Sequence, residues 1–327
     1  MPDCPLCGAA GARCRVEFGE DGGEHVGEYS VVQCGRCGVE FTSPFPSGEQ
    51  LAELYGDRYY AEASAARFRV RPAEWVAQWF RGRRARVLAG RMNGATGRRV
   101  LDVGCGRGFT LACLQRAGAD VFGTQVSTAA ARQAARLVGD DRIFVGELAD
   151  AKYPERWFDA VTLWHVLEHV PAPRELLREI ERLLRPGGFV YIEVPNAGGW
   201  TARTFGRRWL GYDIPRHLFH FSPATLKVLA REAGLVCRDE VQLSLEYSPV
   251  TLLQTLLNAV LGGDSLLFRH LTQERREADP GAGRAVLALH LAVAAALAVP
   301  SLVLSAWLAW TRSGDTWGGY FYRPDDA

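Results

Sequence analysis

Four of the eight cysteines form two Cys-x-x-Cys pairs near the start of the chain. Cys4 with Cys7 is the first pair, Cys34 with Cys37 is the second, and a glycine follows each. Two residues between thiolates let both sulfurs reach one tetrahedral ion, and four thiolates close its coordination sphere. The spacing therefore predicts a structural zinc ion on these four residues. A redox dithiol would need only one pair, and Cys14 is a spare thiol or a substitute ligand.

A glycine-rich turn after an apolar run is the second chemical signal. Residues 100–103 (Val-Leu-Asp-Val) are typical of a buried strand, and Gly104, Gly106 and Gly108 follow before a helical pattern begins. Strand, glycine-rich turn and helix bring backbone N–H groups close to a polar or anionic ligand. Asp102 precedes the first glycine, where a dinucleotide-binding fold normally carries an apolar residue.

The motif Asp-x-Gly-x-Gly-x-Gly in residues 102–108 resembles the first motif of class I S-adenosylmethionine-dependent methyltransferases. Residues 167–173, Leu-Glu-His-Val-x-x-Pro, are similar to a segment of small-molecule methyltransferases of the ubiquinone-biosynthesis type. The cysteine ribbon, continuing through residues 41–60, resembles the zinc-binding module of a methyltransferase group found among polysaccharide, sugar and lipid-modifying systems. That last likeness suggests that Tyr59 and Tyr60 lie near the active-site mouth; aromatic packing between ribbon and catalytic domain is the alternative.

The resemblance also implies a cofactor site. The second predicted strand ends at Gln125, where the family carries an acid for the ribose hydroxyls; an amide can accept from one hydroxyl and donate to the other. Glu147 and the backbone of Leu148 are expected along the adenine, unless Glu147 is merely solvated. The whole expected set is Asp102, Gly104, Cys105, Gly106, Gln125, Val126, Glu147, Leu148, Trp164 and His165.

Histidines and one glutamate form the candidate acceptor side. His165, Glu168 and His169 are spaced i, i+3, i+4, so they share one face of any helical turn there. Any of them could be a general base for an O-methylation; for His169, tying the strand to its helix is the favoured role. By the resemblance, the element that contains His217 and His220 borders the substrate pocket, although both could simply pack. The predicted catalytic set is His165, Glu168, His217 and His220.

The elements that must position these residues alternate between strand and helix. Strands are predicted at 99–103, 120–125, 142–145, 158–164, 189–194 and 235–243, with a last antiparallel strand in 314–323. This alternation predicts an α/β protein with a doubly wound, mostly parallel seven-stranded sheet. The expected divisions are a zinc ribbon (1–45), a helical lead-in (46–98), the methyltransferase core (99–245), an apolar helical insert (246–312) and the final strand and tail (313–327).

The apolar insert contains a run, residues 285–311, without formal charge apart from His290. Its length would suffice for a membrane span, but the last strand must return to the sheet and Pro300 divides the run. We expect a helical hairpin or bent helix that dips into one leaflet or roofs an apolar tunnel, with Trp307 and Trp310 in an interfacial belt. A dimer interface or a core helix is the alternative. The insert points to a lipid or polyprenyl-linked acceptor among small-molecule substrates.

The overall charge constrains the partners. The net charge is only +1, so the overall charge gives no reason to expect nucleic-acid binding. The opening Met-Pro-Asp-Cys-Pro lacks a secretory leader, which predicts a cytoplasmic protein, peripheral on the inner membrane face if the insert meets lipid. The alternatives are an NAD-dependent oxidoreductase, which Asp102 and Gln125 disfavour, and a non-catalytic, membrane-attached scaffold.

Overall fold

The computed structural model of the chain describes residues 2–18, 29–54, 71–262, 265–268 and 284–324, so Tyr59 and Tyr60 lie outside the described residues. The strands are β1 (Arg13–Glu17), β2 (Ser30–Gln33), β3 (Glu40–Ser43), β4 (Arg99–Val103), β5 (Asp120–Gln125), β6 (Ile143–Val145), β7 (Phe158–Trp164), β8 (Leu184–Pro195), β9 (Phe219–His220), β10 (Val236–Val241) and β11 (Thr316–Tyr322). The α-helices are α1 (Gly48–Leu54), α2 (Arg71–Arg91), α3 (Phe109–Arg116), α4 (Thr128–Val138), α5 (Pro173–Leu183), α6 (Trp200–Phe205), α7 (Pro223–Glu232), α8 (Ser248–Leu261) and α9 (Arg284–Trp310).

Seven of these strands form the main sheet, in the order β10-β11-β8-β7-β4-β5-β6. The neighbouring pairs β8–β7, β7–β4, β4–β5 and β5–β6 are parallel. Strand β11 runs antiparallel to both β8 and β10. The predicted doubly wound, mostly parallel α/β sheet is therefore confirmed. Because β4 lies between β5 and β7, the glycine bend after β4 sits at the carboxyl edge where strand order reverses, the usual ligand position in such sheets.

Hydrophobic spacing explains the central elements. Val100 and Leu101 are fully buried in β4, and α5 buries the stripe Leu177, Ile180 and Leu183, as a period of 3.6 requires. The helix ends at Leu183. Leu184 already pairs with Phe158, and the ladder resumes at Phe189 after an irregular stretch, so β8 is longer than the predicted strand.

The cysteine ribbon folds as an antiparallel sheet in the order β1-β2-β3-β9. Its fourth strand, Phe219–His220, comes from far along the chain and pairs with Glu40 and Phe41. The ribbon thus shares a sheet with the segment that carries His217 and His220, an attachment that the sequence pattern did not predict.

The apolar run forms one helix, α9, which continues through Pro300. Of the two predicted forms, the hairpin is therefore wrong, and one helix contains Pro300; an internal proline removes one backbone hydrogen bond, and a long helix can tolerate that loss. Near its beginning α9 packs on α8, with Ala294 against Leu257. By length and composition, Ala285–Trp310 could cross a membrane, which for a single helix is weak evidence.

Candidate active site

The bend after β4 combines a buried acid with an open backbone. Asp102 Oδ1 accepts a hydrogen bond of 2.6 Å from Thr162 Oγ1, and burial raises the pKa of Asp102 to about 6. Gly104 has φ +65° and a Cβ there would lie 2.7 Å from Val166 Cγ2, whereas a Cβ on Gly106 would meet nothing within 4 Å. The bend therefore presents an uncovered main chain that a ligand can approach.

The end of β5 supplies the next predicted contact. Gln125 is buried, and its Oε1 accepts a hydrogen bond of 3.2 Å from the backbone N–H of Ser127. With the oxygen engaged, the amide NH2 is the group that can donate to a ligand. Val126 and Glu147 are exposed beside it, and Leu148 is buried.

His165 lies at the end of β7 with a left-handed backbone, φ +53°. Its Nδ1 is 3.3 Å from Glu168 Oε1, and its Nε2 is 3.3 Å from Glu193 Oε1. Burial acts to lower the pKa of His165, but the contacts with the two carboxylates outweigh it and raise the pKa to about 10. Burial likewise acts to raise the pKa of Glu168, yet His165 brings it down to about 2. At neutral pH the centre of this group is an imidazolium between two carboxylates.

Three residues of this region were missed by the sequence prediction. Glu193 also accepts hydrogen bonds from Tyr191 (2.7 Å) and from Ser244.

The guanidinium of Arg84 on α2 lies 4.2 Å from the Trp164 ring centroid and 2.6 Å from Glu246. Tyr247 lies 4.0 Å from the His165 ring, centroid to centroid. A glutamate inside a strand of buried type was a usable signal for Glu193, whereas nothing distinguished Arg84 from the other arginines of its helix.

The segment 213–220 folds against the loop after β7. The backbone N–H of Leu218 donates to the Glu168 carbonyl at 2.8 Å. His217 Nδ1 is 2.8 Å from the Gly211 carbonyl; a carbonyl only accepts, so Nδ1 carries the hydrogen. The remaining ring nitrogen, Nε2, is 3.8 Å from Asp213 Oδ2.

These contacts bring most of the predicted acceptor side together. Ligand atoms of Glu168, His169 and His217 lie within 4.8 Å of one another, a spacing that also suits a metal ion. Oε2 of Glu168 is buried and has no hydrogen-bond partner among the described residues, so it can accept from a bound hydroxyl. His220 instead faces the ribbon, with Nε2 3.2 Å from Thr42 Oγ1.

The cysteine cluster has the geometry of a closed metal site. Cys4 and Cys37 Sγ are 3.7 Å apart, and Cys7 and Cys34 Sγ are 3.6 Å apart. Sulfurs at the corners of a tetrahedron around zinc, with Zn–S bonds of about 2.3 Å, lie about 3.8 Å apart. Backbone N–H groups of Arg36 and Cys37 also point to Cys34 Sγ, which stabilises a thiolate. The four residues therefore fit a structural zinc ion.

A family model described as a methyltransferase domain matches residues 73–240. The chain belongs to this methyltransferase family. The ubiquinone biosynthesis O-methyltransferase of Alkalilimnicola ehrlichii is 37% identical over 173 residues, which cover 49% of this chain and 68% of that protein. The enzyme of the same name from Pseudomonas aeruginosa is 30% identical over 197 residues, covering 57% and 81%.

Among solved structures, one described as a sarcosine dimethylglycine methyltransferase from Galdieria sulphuraria shares the fold of this methyltransferase. Its TM-score is 0.51 at 16% identity, and the match covers 83% of this chain and 99% of that one. The predicted class I methyltransferase with S-adenosylmethionine as its cofactor is confirmed. The NAD-dependent alternative does not agree with this family.

The site fits that cofactor on its own geometry. The main chain is open above Gly106, and Trp164 Nε1 is buried with no hydrogen-bond partner among the described residues. An uncovered bend and an unsatisfied donor at one sheet edge suit a polar nucleotide. The assignment of individual cofactor and catalytic residues remains a prediction.

Proposed function

We propose that this methyltransferase methylates a hydroxyl oxygen of a small, apolar molecule that it meets at the cytoplasmic face of a membrane. The observation that carries the proposal is the meeting of the open glycine bend with a buried histidine–carboxylate group at one edge of the sheet. Relatives named as ubiquinone biosynthesis O-methyltransferases support an oxygen acceptor. The outward face of α9 supports an apolar one.

The cofactor lies along the bend in this proposal. Bound S-adenosylmethionine supplies a methyl group on a sulfonium that is already an activated leaving group. The chain has to hold the acceptor oxygen in line with that methyl and exclude water. The residues proposed to hold the cofactor are Asp102, Gly104, Cys105, Gly106, Gln125, Val126, Glu147, Leu148, Trp164 and His165.

His165 acts in this proposal by position and charge. With a pKa of about 10 it already carries its second proton at neutral pH, so it is a poor general base. Its contacts with Glu168 and Glu193 hold the loop after β7 in place beside the glycine bend. Glu168 contributes its negative charge, which stabilises a cation formed on the neighbouring His217, since ligand atoms of the two residues lie within 4.8 Å of each other.

His217 is the proposed proton acceptor. The Gly211 carbonyl keeps the hydrogen on Nδ1, which leaves the lone pair on Nε2. Burial acts to raise the pKa of Asp213, but Arg216 and His217 lower it to about 2, so a carboxylate stands ready to stabilise the imidazolium that forms. His220 makes a weaker candidate, because burial and the nearby His217 lower its pKa well below the usual value.

The membrane part of the proposal comes from an inverted burial pattern in α9. Its buried residues include His290, Ser301 and Ser305, which face the protein. Large apolar side chains face outward: Val286, Leu289, Leu291, Val299, Leu302, Val303, Trp307 and Trp310. Water-exposed helices normally show the opposite arrangement, and a lipid surface is an environment in which this one is favourable.

Helix α8 shares part of this pattern, because it buries polar side chains beside Leu252 and Leu257. Gln254 and Asn258 are buried and bonded to each other at 2.8 Å, and Asn258 also donates to the Arg208 carbonyl. Val260 lies exposed. Because α9 packs on this helix and β11 follows within the sheet, we propose that the pair lies on one leaflet and does not cross it.

The experiment is methyl transfer from S-adenosylmethionine with a 13C-labelled methyl group. Purified protein is incubated separately with a lipid extract and with an aqueous metabolite extract, and products are identified by mass spectrometry and NMR. We expect a labelled methoxy carbon in the lipid extract. Label on nitrogen or carbon, or only in the aqueous extract, would contradict the proposed acceptor. No label in either extract, with S-adenosylhomocysteine still bound in calorimetry, would favour the scaffold.

A further inference from the structure

We propose that Thr42, a residue of the zinc ribbon, is a positioning residue of the acceptor site. The inference rests on the proposed function, because it takes the His217 side of the sheet edge as the place where the acceptor binds. It makes the ribbon part of the active site and not only an appended module.

The ribbon reaches the histidines through β3. Glu40 and Phe41 pair with His220 and Phe219, and the backbone N–H of Thr42 donates to the Leu218 carbonyl at 3.0 Å. The second Cys-x-x-Cys turn lies directly before this strand, where the Cys34 N–H donates to the Val39 carbonyl at 3.0 Å. The metal turn and the histidine segment are therefore joined by a short hydrogen-bonded strand.

The hydroxyl of Thr42 links two of the predicted catalytic residues. It donates its only hydrogen to the His217 carbonyl, with an oxygen–oxygen distance of 2.6 Å. Toward His220 Nε2, at 3.2 Å, the same oxygen can then only accept. All three residues are buried, so water does not compete for these bonds.

Two consequences follow from this arrangement. The hydrogen bond from Thr42 fixes the His217 backbone, and a ring nitrogen of His217 lies within 4.8 Å of a Glu168 carboxylate oxygen. His220 is fixed as the neutral tautomer that carries its hydrogen on Nε2 and leaves Nδ1 with a lone pair. A movement of β3 would reach Glu168 too, because Leu218 donates to the Glu168 carbonyl.

Three variants separate positioning from simple support of the fold. Thr42→Val keeps the shape and removes the hydroxyl, and Thr42→Ser restores the hydroxyl. Ser30→Ala is the matched control, since Ser30 donates to the Ser43 carbonyl at 3.3 Å within the same ribbon sheet without touching the histidines.

The first measurement is NMR of protein with 15N-labelled histidine rings, with the His220 signals assigned from a His220→Gln variant. We expect the Nε2–H tautomer for His220 in the unchanged protein, in Thr42→Ser and in Ser30→Ala. Thr42→Val should show a mixture of the two neutral tautomers. A His220 spectrum unchanged in Thr42→Val would overturn the proposal, whatever the stability of the variant.

The second measurement is the rate of label transfer from methyl-labelled S-adenosylmethionine into the lipid extract. Thr42→Val should lower kcat/KM for the lipid fraction about tenfold, the effect of losing roughly one buried hydrogen bond. Affinity for S-adenosylhomocysteine should stay unchanged, and Thr42→Ser should recover most of the rate. Equal rates in Thr42→Val and Ser30→Ala would reduce Thr42 to a structural role. If the unchanged protein transfers no label, the proposed function fails, and the His220 spectrum still decides whether Thr42 sets that tautomer.

Discussion

The central sheet and the α8–α9 pair distribute polar and apolar side chains differently. In the sheet, Leu163 and Ile192 are fully buried, and charged side chains such as Glu193 are buried near the carboxyl edge, where they pair. In the helix pair, Gln254 and Ser305 are buried, while Trp310 is 81% exposed. The sheet therefore hides its apolar side chains from water, whereas the outer face of the helix pair exposes them, as the proposed contact with lipid would require.

Truncating a leucine in each region should give the largest contrast. Leu163→Ala removes a fully buried side chain from β7 and should lower the free energy of unfolding by about 2–5 kcal/mol. Leu302→Ala, on the outer face of α9, should change it by about 0.5 kcal/mol or less. Urea unfolding of both variants makes the comparison. A large loss in Leu302→Ala would mean that another part of the protein covers α9.

The buried ion group at the sheet edge should make stability depend on pH in both directions. The folded pKa of His165, about 10, lies above the ordinary value of roughly 6.5, so its contribution is complete below pH 6.5 and is lost as pH rises toward 10. The folded pKa of Glu168, about 2, lies below its ordinary value, so its contribution is lost as pH falls from about 4.3 toward 2.

Glu168→Gln tests this dependence. It should lower the free energy of unfolding at pH 7 by on the order of 3 kcal/mol. It should also make that free energy fall less steeply as the pH rises from 7 to 10. The control is Glu179→Gln, which breaks the Glu179–Arg182 surface pair and should cost about 1 kcal/mol at most. The measurement is urea unfolding of both variants from pH 4 to 10. If the free energy of unfolding of Glu168→Gln falls above pH 7 as steeply as that of the unchanged protein, His165 is not an imidazolium.

A charge on the outer face of α9 should separate membrane binding from folding. Leu302→Glu should weaken binding to phosphatidylglycerol-containing vesicles about tenfold or more, because burying a leucine in lipid contributes roughly 2 kcal/mol. Val228→Glu on α7 is the matched control, since Val228 is 48% exposed and Leu302 is 51% exposed. Vesicle sedimentation measures both. If the unchanged protein does not sediment with vesicles, the lipid assignment is wrong.

The smallest effect is expected at Gln125, the proposed ribose contact. Gln125→Glu keeps an oxygen for the Ser127 N–H and replaces the amide NH2 with a charged acceptor. Hydrogen bonds to charged groups are stronger than neutral ones, so affinity for S-adenosylhomocysteine should rise about tenfold in calorimetry. Gln50→Glu is the matched control, since Gln50 is exposed and its Oε1 also accepts from a backbone N–H, that of Ser47; it should change affinity about twofold or less. Weaker binding in Gln125→Glu would show that the amide NH2 is needed as a donor.

Local pattern was enough for the fold and for part of the site. The apolar run at residues 100–103, the glycines after it and the leucine stripe of α5 are periodic signals that depend on neighbouring residues alone. The Cys-x-x-Cys spacing likewise encodes a chelating geometry within two short turns. These features were predictable because each element carries its own periodicity, and the parallel, doubly wound class of sheet follows from alternating strands and helices.

Tertiary structure alone decided which side chains meet. It placed Glu193 beside His165 and Arg84 over Trp164, and it joined Thr42 of the ribbon to His220. It also turned Ser301 and Ser305 of α9 inward, which composition could not reveal. Such contacts join residues distant along the chain, and their distances set the pKa of His165; periodicity specifies which face of an element is apolar but not what that face packs against.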